Sequence, residues 1–429
     1  MDKLVVEGGH PLSGTIQCAG SKNAVLPILA ASILTEEPLV VSNAPQLADV
    51  KTMLAILRDL GGEAEQGEDG AARVQFAGPP RAISGWDNVR RMRGSVCVLG
   101  PLLARTGKAE VSLPGGCVFG VRPIDLHLKG LEALGAKVTI EHGFVIAKAP
   151  KGGLVGGRVF LGCASGSSVL GTANVMMAAT LAQGTTTIQS AACEPEVVDL
   201  GDCLNSMGAR ITGLGSPCLT IEGVKELHGT THQVIPDRIE AGTYLIAGAM
   251  VGGAVRVEGC RPDHLSALID RFWEANIPYE VGEGFIETLP FDLKERQINP
   301  TDVTTHPYPG FPTDLQAQWM AMMTQADGIS IVAERIYPDR YMHLAELLRL
   351  GAQIRREGTT AIVSGGKPLS GAPVTASDLR ASAALVLAGL VAEGETHIHR
   401  VYHIDRGYER IEERLSHLGA VIRREPDES

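Results

Sequence analysis

Aromatic residues are scarce in this sequence: three Trp, seven Tyr and eight Phe account for 4% of 429 residues. With 44% apolar residues, only 20% charged residues, 51 Gly and 24 Pro, the composition is that of a globular, turn-rich chain. Disorder, a collagen-like repeat and a long coiled coil are excluded. Positive charge is in deficit, 38 Lys and Arg against 49 Asp and Glu, for a net charge of −11. General nucleic-acid binding, which neutralises phosphates with Lys and Arg, is therefore not expected. Small anions respond instead to local fields, and a pocket of an acidic protein can be cationic.

Long hydrophobic runs are missing as well. The longest, such as Ala381 to Ala392, are too short to span a bilayer. The opening MDKLVVEGGHPLSG has no basic stretch followed by an apolar one, so no secretory signal is read and the expected location is the cytoplasm. The eight cysteines contain no C-x-x-C pair and none lies beyond Cys260, which argues against a disulfide framework or a zinc site. There is no H-E-x-x-H pattern, no Walker A loop and no G-x-G-x-x-G after a strand. Metal catalysis, nucleoside triphosphate hydrolysis and NAD binding thus have no support, and no cofactor is expected.

What the chain does have is an internal repeat. An amphipathic helix, a Leu-Gly-Ala phrase and a short apolar strand recur at LRDLGGEAE (57–65), LEALGAKVT (131–139), LNSMGARIT (204–212), LLRLGAQIR (347–355) and LSHLGAVIR (415–423), with FWEANIPYEV (272–281) as a degenerate copy. The turn residues Gly61, Gly135, Gly208, Asn276, Gly351 and Gly419 are 74, 73, 68, 75 and 68 residues apart, so six units of about seventy residues fill the chain. Gly and Asn fit a left-handed residue just past a helix end. Upstream, phrases such as AATLAQGTTTIQSAA and LAGLVAEGETHIHRV read as a small-residue helix, a turn and a β-rich run. Each unit reads strand, helix, strand, helix, strand, an α/β pattern. Six such units suit two domains of three better than one long solenoid, with a crossover near Leu227 to Ile235.

A polar cluster precedes the first helix of every unit: GSKNA (20–24), RMRGS (91–95), SGSSV (165–169), DRIEAGT (237–243), FPTDLQ (311–316) and SDLRAS (377–382). Helix N-termini favour anions, so converging termini would suit phosphates and carboxylates. The plainer reading makes Ser21, Thr313 and Ser377 simple N-caps. Capping does not call for Lys22, Arg93, Arg380 or Asp314, however. Arg122, Arg340 and Arg406 add loop cations able to grip phosphate or carboxylate through two hydrogen bonds at once. Cys117, in the loop SLPGGCVFGVRP beside Arg122, is either a reactive or acid-base thiol or a small apolar plug. Asp314, after the rigid Phe311-Pro312-Thr313, is either a cap or a general base on a hydroxyl.

Taken together, GSKNAVLPILAASIL, SLPGGCVFGVRPIDLH, CEPEVVDL, PDRIEAGT, YPGFPTDLQAQ, TASDLRASAALVLAG and YHIDRGYERIE resemble the UDP-N-acetylglucosamine 1-carboxyvinyltransferases over essentially the full chain. The resemblance implies a two-domain inside-out α/β barrel, each domain three repeated units, one formed by 1–21 plus 233–429 and the other by 22–232. It implies transfer of enolpyruvyl from phosphoenolpyruvate to the 3-hydroxyl of UDP-N-acetylglucosamine with release of phosphate, the first committed step of peptidoglycan synthesis, without nucleic acid, membrane, metal or cofactor.

By the same motifs, Cys117 is the proton donor, able to carry a covalent phosphoenolpyruvate adduct and to be alkylated by fosfomycin, and Asp314 is the base. Lys22, Arg122 and Arg406 hold phosphoenolpyruvate, and Arg340 and Arg380 complete the cationic lining. Asn23, Arg93, the run Arg122, Pro123, Ile124, Asp125, Leu126 and His127, then Ser168, Val169 and Ile336, match positions that bind the UDP-sugar. The chain departs from the family at two places. Ser168-Val169-Leu170-Gly171-Thr172 stands where S-V-G-A-T is frequent, and Cys97 where an aromatic is common. These departures leave open an enolpyruvyl transferase for another nucleotide or sugar. A non-catalytic nucleotide-sugar-binding paralogue is the alternative from another class; it has no use for an acid and a base together.

Overall fold

The computed structural model describes residues 2–84, 89, 92–113 and 124–427. They form two compact units. A central unit holds the described residues from Gly20 to Ile235, and a terminal unit holds those up to Ala19 and from Pro236 onward. The division expected after residue 21 and before 233 shifts by a few residues for a local reason. The Ser21 N–H donates to the Ile235 carbonyl at 2.8 Å inside the central unit, and the Asp237 N–H donates to the Ala19 carbonyl at 2.8 Å inside the terminal unit.

Six four-stranded sheets share one plan, in which an edge strand runs parallel to its neighbour and the next two pairings are antiparallel. In the central unit the orders are Thr230–Gln233, Leu39–Ser42, Ala72–Gln75, Glu63–Gln66; Ile83–Ser84, Lys108–Ser112, Phe144–Lys148, Lys137–Glu141; and Arg158–Phe160, Thr185–Gln189, Cys218–Glu222, Arg210–Thr212. In the terminal unit they are Ser13–Gln17, Ala254–Glu258, Phe285–Thr288, Tyr279–Gly282; Val303–Thr304, Ile329–Ala333, Thr360–Ser364, Gln353–Glu357; and Pro373–Thr375, Glu395–His399, Asp2–Glu7, Val421–Pro426. Five of the six repeats thus end in a hairpin, one strand more than the expected pattern; in the sixth, Val421–Pro426 pairs instead with Asp2–Glu7 from the start of the sequence. The turn His142-Gly143 shows how such a hairpin closes: both residues have positive φ, 51° and 79°, and Glu141 pairs with Phe144, a two-residue loop matched to strand twist.

Between the strands lie two kinds of helix. The first of each unit is made of small and apolar residues and is buried nearly all round: α1 (Lys22–Ala31), α3 (Leu99–Thr106), α5 (Val169–Ala179), α7 (Arg238–Met250), α9 (Gln316–Met323) and α11 (Leu379–Val391). Helices apolar on every side belong in a core. Accordingly α7, α9 and α11 pack on one another, as do α1 with α5 and α3 with α5. The second kind is amphipathic: α2 (Ala48–Asp59), α4 (Asp125–Ala133), α6 (Pro195–Ser206), α8 (Ser266–Glu274), α10 (Met342–Arg349) and α12 (Ile411–His417). In α2 the buried Val50, Met53, Leu54 and Leu57 mark one stripe. The strands alternate buried and open positions, as in Glu395–His399, where Thr396 and Ile398 face inward. Each unit has its own hydrophobic core.

The six repeat turns share one geometry. Gly61, Gly135, Gly208, Asn276, Gly351 and Gly419 all have positive φ, between 62° and 105°. In every copy the residue after the turn donates its N–H five residues back, as Gly62 to Leu57, Ala136 to Leu131 and Ile277 to Phe272. The turn residue itself donates three residues back, as Gly351 to Leu348 and Gly419 to Ser416. This pair of bonds satisfies carbonyls that a helix end leaves orphaned, and it requires the left-handed residue at which Gly and Asn are least strained.

Candidate active site

In the terminal unit the fold gathers three expected residues around one carboxylate. Asp314 lies in the short 3₁₀ turn Thr313–Leu315 that leads into α9. Its Oδ1 accepts from Arg340 Nη1 at 2.7 Å and its Oδ2 from Arg380 Nη2 at 2.9 Å. Both arginines are nearly buried, with 6% and 3% of their side chains exposed, whereas Asp314 keeps 23% open. Burial alone would raise the Asp314 pKa, but Arg380 and Arg340 outweigh it and hold the carboxyl well below the usual Asp range.

Each arginine has a second, uncharged partner. Arg380 Nη1 donates to the Tyr408 hydroxyl at 3.2 Å, and that oxygen lies 2.8 Å from Thr243 Oγ1 and accepts from Gln318 Nε2 at 3.2 Å. Arg340 Nη1 also donates to Thr313 Oγ1 at 2.9 Å. The Thr313 hydroxyl in turn donates to Glu334 Oε2 at 2.8 Å. Glu334 is fully buried, and its other oxygen accepts from Thr305 Oγ1 at 2.7 Å and from the Ile336 and Tyr337 N–H groups at 2.8 and 2.9 Å. One carboxylate thereby fixes both Thr313 and the start of the loop that delivers Arg340.

Capping corrects part of the sequence reading. Asp378, not Ser377, caps α11, its Oδ1 accepting from the Arg380 and Ala381 N–H groups at 2.9 and 3.1 Å. Asp237 caps α7 in the same way. Ser21 precedes α1 but makes no capping bond through its side chain, and Thr313 spends its hydroxyl on Glu334. Arg406 is half-buried at the end of the 3₁₀ turn Val401–Arg406, close enough to help depress His403 after burial has done so.

In the central unit, Lys22 opens α1 and its Nζ lies 2.7 Å from Asp49 Oδ2 in the first turn of α2, with 12% and 3% of the two side chains exposed. Asn23 beside it is half-buried. Arg93 begins the 3₁₀ turn Arg93–Val98 before α3. His127, in α4, is buried, and its Nδ1 lies 2.9 Å from Asn174 Nδ2. Burial, then the nearby Arg93 charge, lowers its pKa to about 3, so the ring is neutral. Asn174 also donates to the Val96 carbonyl at 2.9 Å and accepts from the Gly100 N–H at 2.7 Å, which ties α5 to the lead-in of α3. Ile124 is buried, Leu126 half-buried and Asp125 exposed.

Ser168 caps α5 through Oγ, which accepts from the Gly171 N–H at 3.1 Å. A side chain at Gly171 would bring its Cβ to 2.7 Å from that oxygen, so the cap needs glycine there. Leu170 packs against the core of the unit, and Cys97 is fully buried, its thiol pushed up to about 12 by burial. Cys117, Arg122 and Pro123 lie outside the described residues.

Sequence reasoning missed Glu334, Asp49, Asn174, Tyr408 and Asp378. Only Asp378 carried a signal, as a carboxylate inside the cluster SDLRAS. Two His pairs do stand four residues apart, His228 with His232 and His399 with His403, a spacing that the sequence reading passed over; His232 bonds Asp199 at 2.8 Å and His399 bonds Asp427 at 2.8 Å. Among the described residues no three metal-ligating side chains come together, and no helix is long and apolar enough to cross a membrane.

Six units, each a four-stranded sheet with its helices, define an α/β protein, and one of its two bodies buries a pair of arginines on a partly exposed carboxylate. Residues 6–415 match the family described as EPSP synthase (3-phosphoshikimate 1-carboxyvinyltransferase), and the chain belongs to this family of carboxyvinyl transferases. It is 51% identical to the UDP-N-acetylglucosamine 1-carboxyvinyltransferase of Xylella fastidiosa (strain 9a5c), over 99% of this chain and 100% of that one. It is likewise 51% identical to the protein of the same name from Koribacter versatilis (strain Ellin345), over 99% and 96%. The enolpyruvyl transferase NikO from Streptomyces tendae superposes with a TM-score of 0.88 at 25% identity, covering 99% of this chain and 98% of that one. EPSP synthase from Acinetobacter baumannii shares the fold, with a TM-score of 0.73 at 18% identity over 99% and 100%.

Proposed function

We propose that this chain transfers the carboxyvinyl group of phosphoenolpyruvate to the 3-hydroxyl of UDP-N-acetylglucosamine and releases phosphate, as the cytoplasmic first committed step of peptidoglycan synthesis. Full-length identity of 51% to proteins of that name is the observation that carries the reading. In keeping with it, each unit would be an inside-out barrel, small-residue helices within and sheets without.

The chemistry proceeds by addition and then elimination. The sugar oxygen forms a bond to the enol carbon as its proton passes to a base, and the methylene carbon takes a proton from an acid. The methyl group then loses a proton and phosphate leaves with the electrons of its C–O bond. An acid, a base and cations for carboxylate and phosphate are needed. In this proposal Cys117 is the acid, able to form an adduct, and Asp314 the base. Lys22, Arg122, Arg340, Arg380 and Arg406 hold phosphoenolpyruvate. Asn23, Arg93, Pro123, Ile124, Asp125, Leu126, His127, Ser168, Val169 and Ile336 bind the UDP-sugar. His127, held neutral, offers this region a hydrogen bond and no charge.

Of the two departures, Cys97 is sealed in the core, and Leu170 is half-buried and packs against it. Phosphate release from phosphoenolpyruvate across a panel of nucleotide sugars tests the proposal. Release with UDP-N-acetylglucosamine is expected; release only with another acceptor would reassign the substrate.

A further inference from the structure

The base proposed above is not free to act as the structure stands. Both Asp314 oxygens are occupied by guanidinium N–H groups, at 2.7 and 2.9 Å, and a carboxylate between two cations is a poor proton acceptor. Yet the arrangement is built to come apart. Asp314 exposes 23% of its side chain while the arginines expose 6% and 3%, so the cluster opens to solvent on the carboxylate's side and the carboxylate is the member with room to move aside. Each arginine also keeps an uncharged partner, Tyr408 for Arg380 and Thr313 for Arg340, that preserves its orientation once the carboxylate contact is given up. Thr313 is itself anchored by Glu334. Other ionisable groups that act on the two arginines include Asp378, Asp237, Tyr408 and His343.

We propose that Asp314 is a gated base: an anionic substrate draws Arg340 and Arg380 onto itself, and only then does the Asp314 carboxylate accept the hydroxyl proton. The inference rests on the transfer reading and adds an order of events to it. Phosphate, with more charge and more acceptor oxygens than a carboxylate, competes well for two guanidiniums. Deprotonation of the acceptor is therefore withheld until phosphoenolpyruvate is bound, which keeps the base silent when the acceptor is bound alone.

The test uses inorganic phosphate as the probe, titrated calorimetrically into the full-length protein and two variants. Asp314→Asn removes the competing charge, and phosphate should bind about tenfold more tightly or better. In Asp314→Ala, acetate should fill the vacated carboxylate position and compete with phosphate, which simple relief of charge repulsion would not produce. Should either variant fold poorly, phosphate should raise its melting temperature more than that of the wild type. Unchanged or weaker phosphate binding in a folded Asp314→Asn variant overturns the gate, and so does acetate without effect on Asp314→Ala. If the wild type transfers enolpyruvyl while the variants show no gain, the gate alone falls. If the gain appears but the wild type makes no product, the transfer reading falls instead.

Discussion

Two of the terminal unit's carboxylates beside arginines, Asp314 and Glu240, shift their pKa in opposite senses. Asp314 bonds two guanidiniums, one to each oxygen, and stays well below the ordinary range. Glu240, 3% exposed in the first turn of α7, accepts the Ala19 N–H at 2.8 Å and faces a single arginine, Arg414, at 3.2 Å. Burial lifts its pKa to about 7; Arg414 and the Ala19 N–H pull it down only in part. Arg414 is also shared, donating to the Gln17 carbonyl at 3.0 Å and lying 3.6 Å from Glu409. An ion pair on paper is thus not enough to keep a buried carboxylate charged. The number of cations, and how far each is committed elsewhere, decides.

The sharpest way to break the comparison is functional. Replacing Asp314 by Asn should lower the transfer rate about 10²- to 10⁴-fold, the usual worth of a general base, while Glu240→Gln should leave the rate near wild type. Steady-state phosphate release measures both, and equal losses would erase the distinction. Stability separates the clusters next. Arg380→Met leaves the Asp314 carboxylate with one cation in place of two and should cost about 3 kcal/mol in urea unfolding. Arg414→Met should cost only about 1–2 kcal/mol at pH 6, where Glu240 can hold a proton, and more at pH 8.5.

The pH dependence has opposite signs at the two sites. Glu240 has a folded pKa, about 7, above its unfolded value of 4.5, so its contribution is full below the unfolded pKa and lost as pH rises through 7. Relative to Glu240→Gln, the wild type should lose roughly 2–3 kcal/mol between about pH 4.5 and 8. Asp314, depressed in the folded protein, contributes above the ordinary Asp pKa of 3.8 and gives way only in stronger acid. A flat difference across the neutral range would contradict the Glu240 account. The smallest effect is expected for Tyr408→Phe, which removes a hydroxyl from a network that Arg380 can otherwise sustain; about 1 kcal/mol is expected by the same unfolding measurement.

Local chemistry was what the sequence made readable. A left-handed turn after each amphipathic helix follows from Gly and Asn at fixed places, and all six adopt it. Phrases read as small-residue helices are helices, as at Arg238–Met250 and Leu379–Val391. Partnerships between distant residues were not readable. Asp314 meets Arg340 and Arg380 across 26 and 66 residues, and the strand Thr230–Gln233 returns to pair with Leu39–Ser42. Nothing in the octet around Glu334 marks it as a hub, since its role is set by Thr305 and Thr313 on other segments. The final hairpin strand of five of the repeats was hidden because its apolar run is short and follows the preceding strand after a turn, and the sixth repeat takes its last strand, Asp2–Glu7, from the other end of the sequence. Which of two neighbouring polar residues caps a helix, Ser377 or Asp378, depends on backbone dihedrals that composition does not report.

The central claim is that one carboxyvinyl group passes from phosphoenolpyruvate to UDP-N-acetylglucosamine. Mass spectrometry of the nucleotide-sugar product, beside a count of phosphate released, tests it most directly. The prediction is one carboxyvinyl adduct for each phosphate, formed by the wild type and about 10²- to 10⁴-fold more slowly by Asp314→Asn. Phosphate release without a modified nucleotide sugar, or an adduct on a different acceptor only, would contradict it.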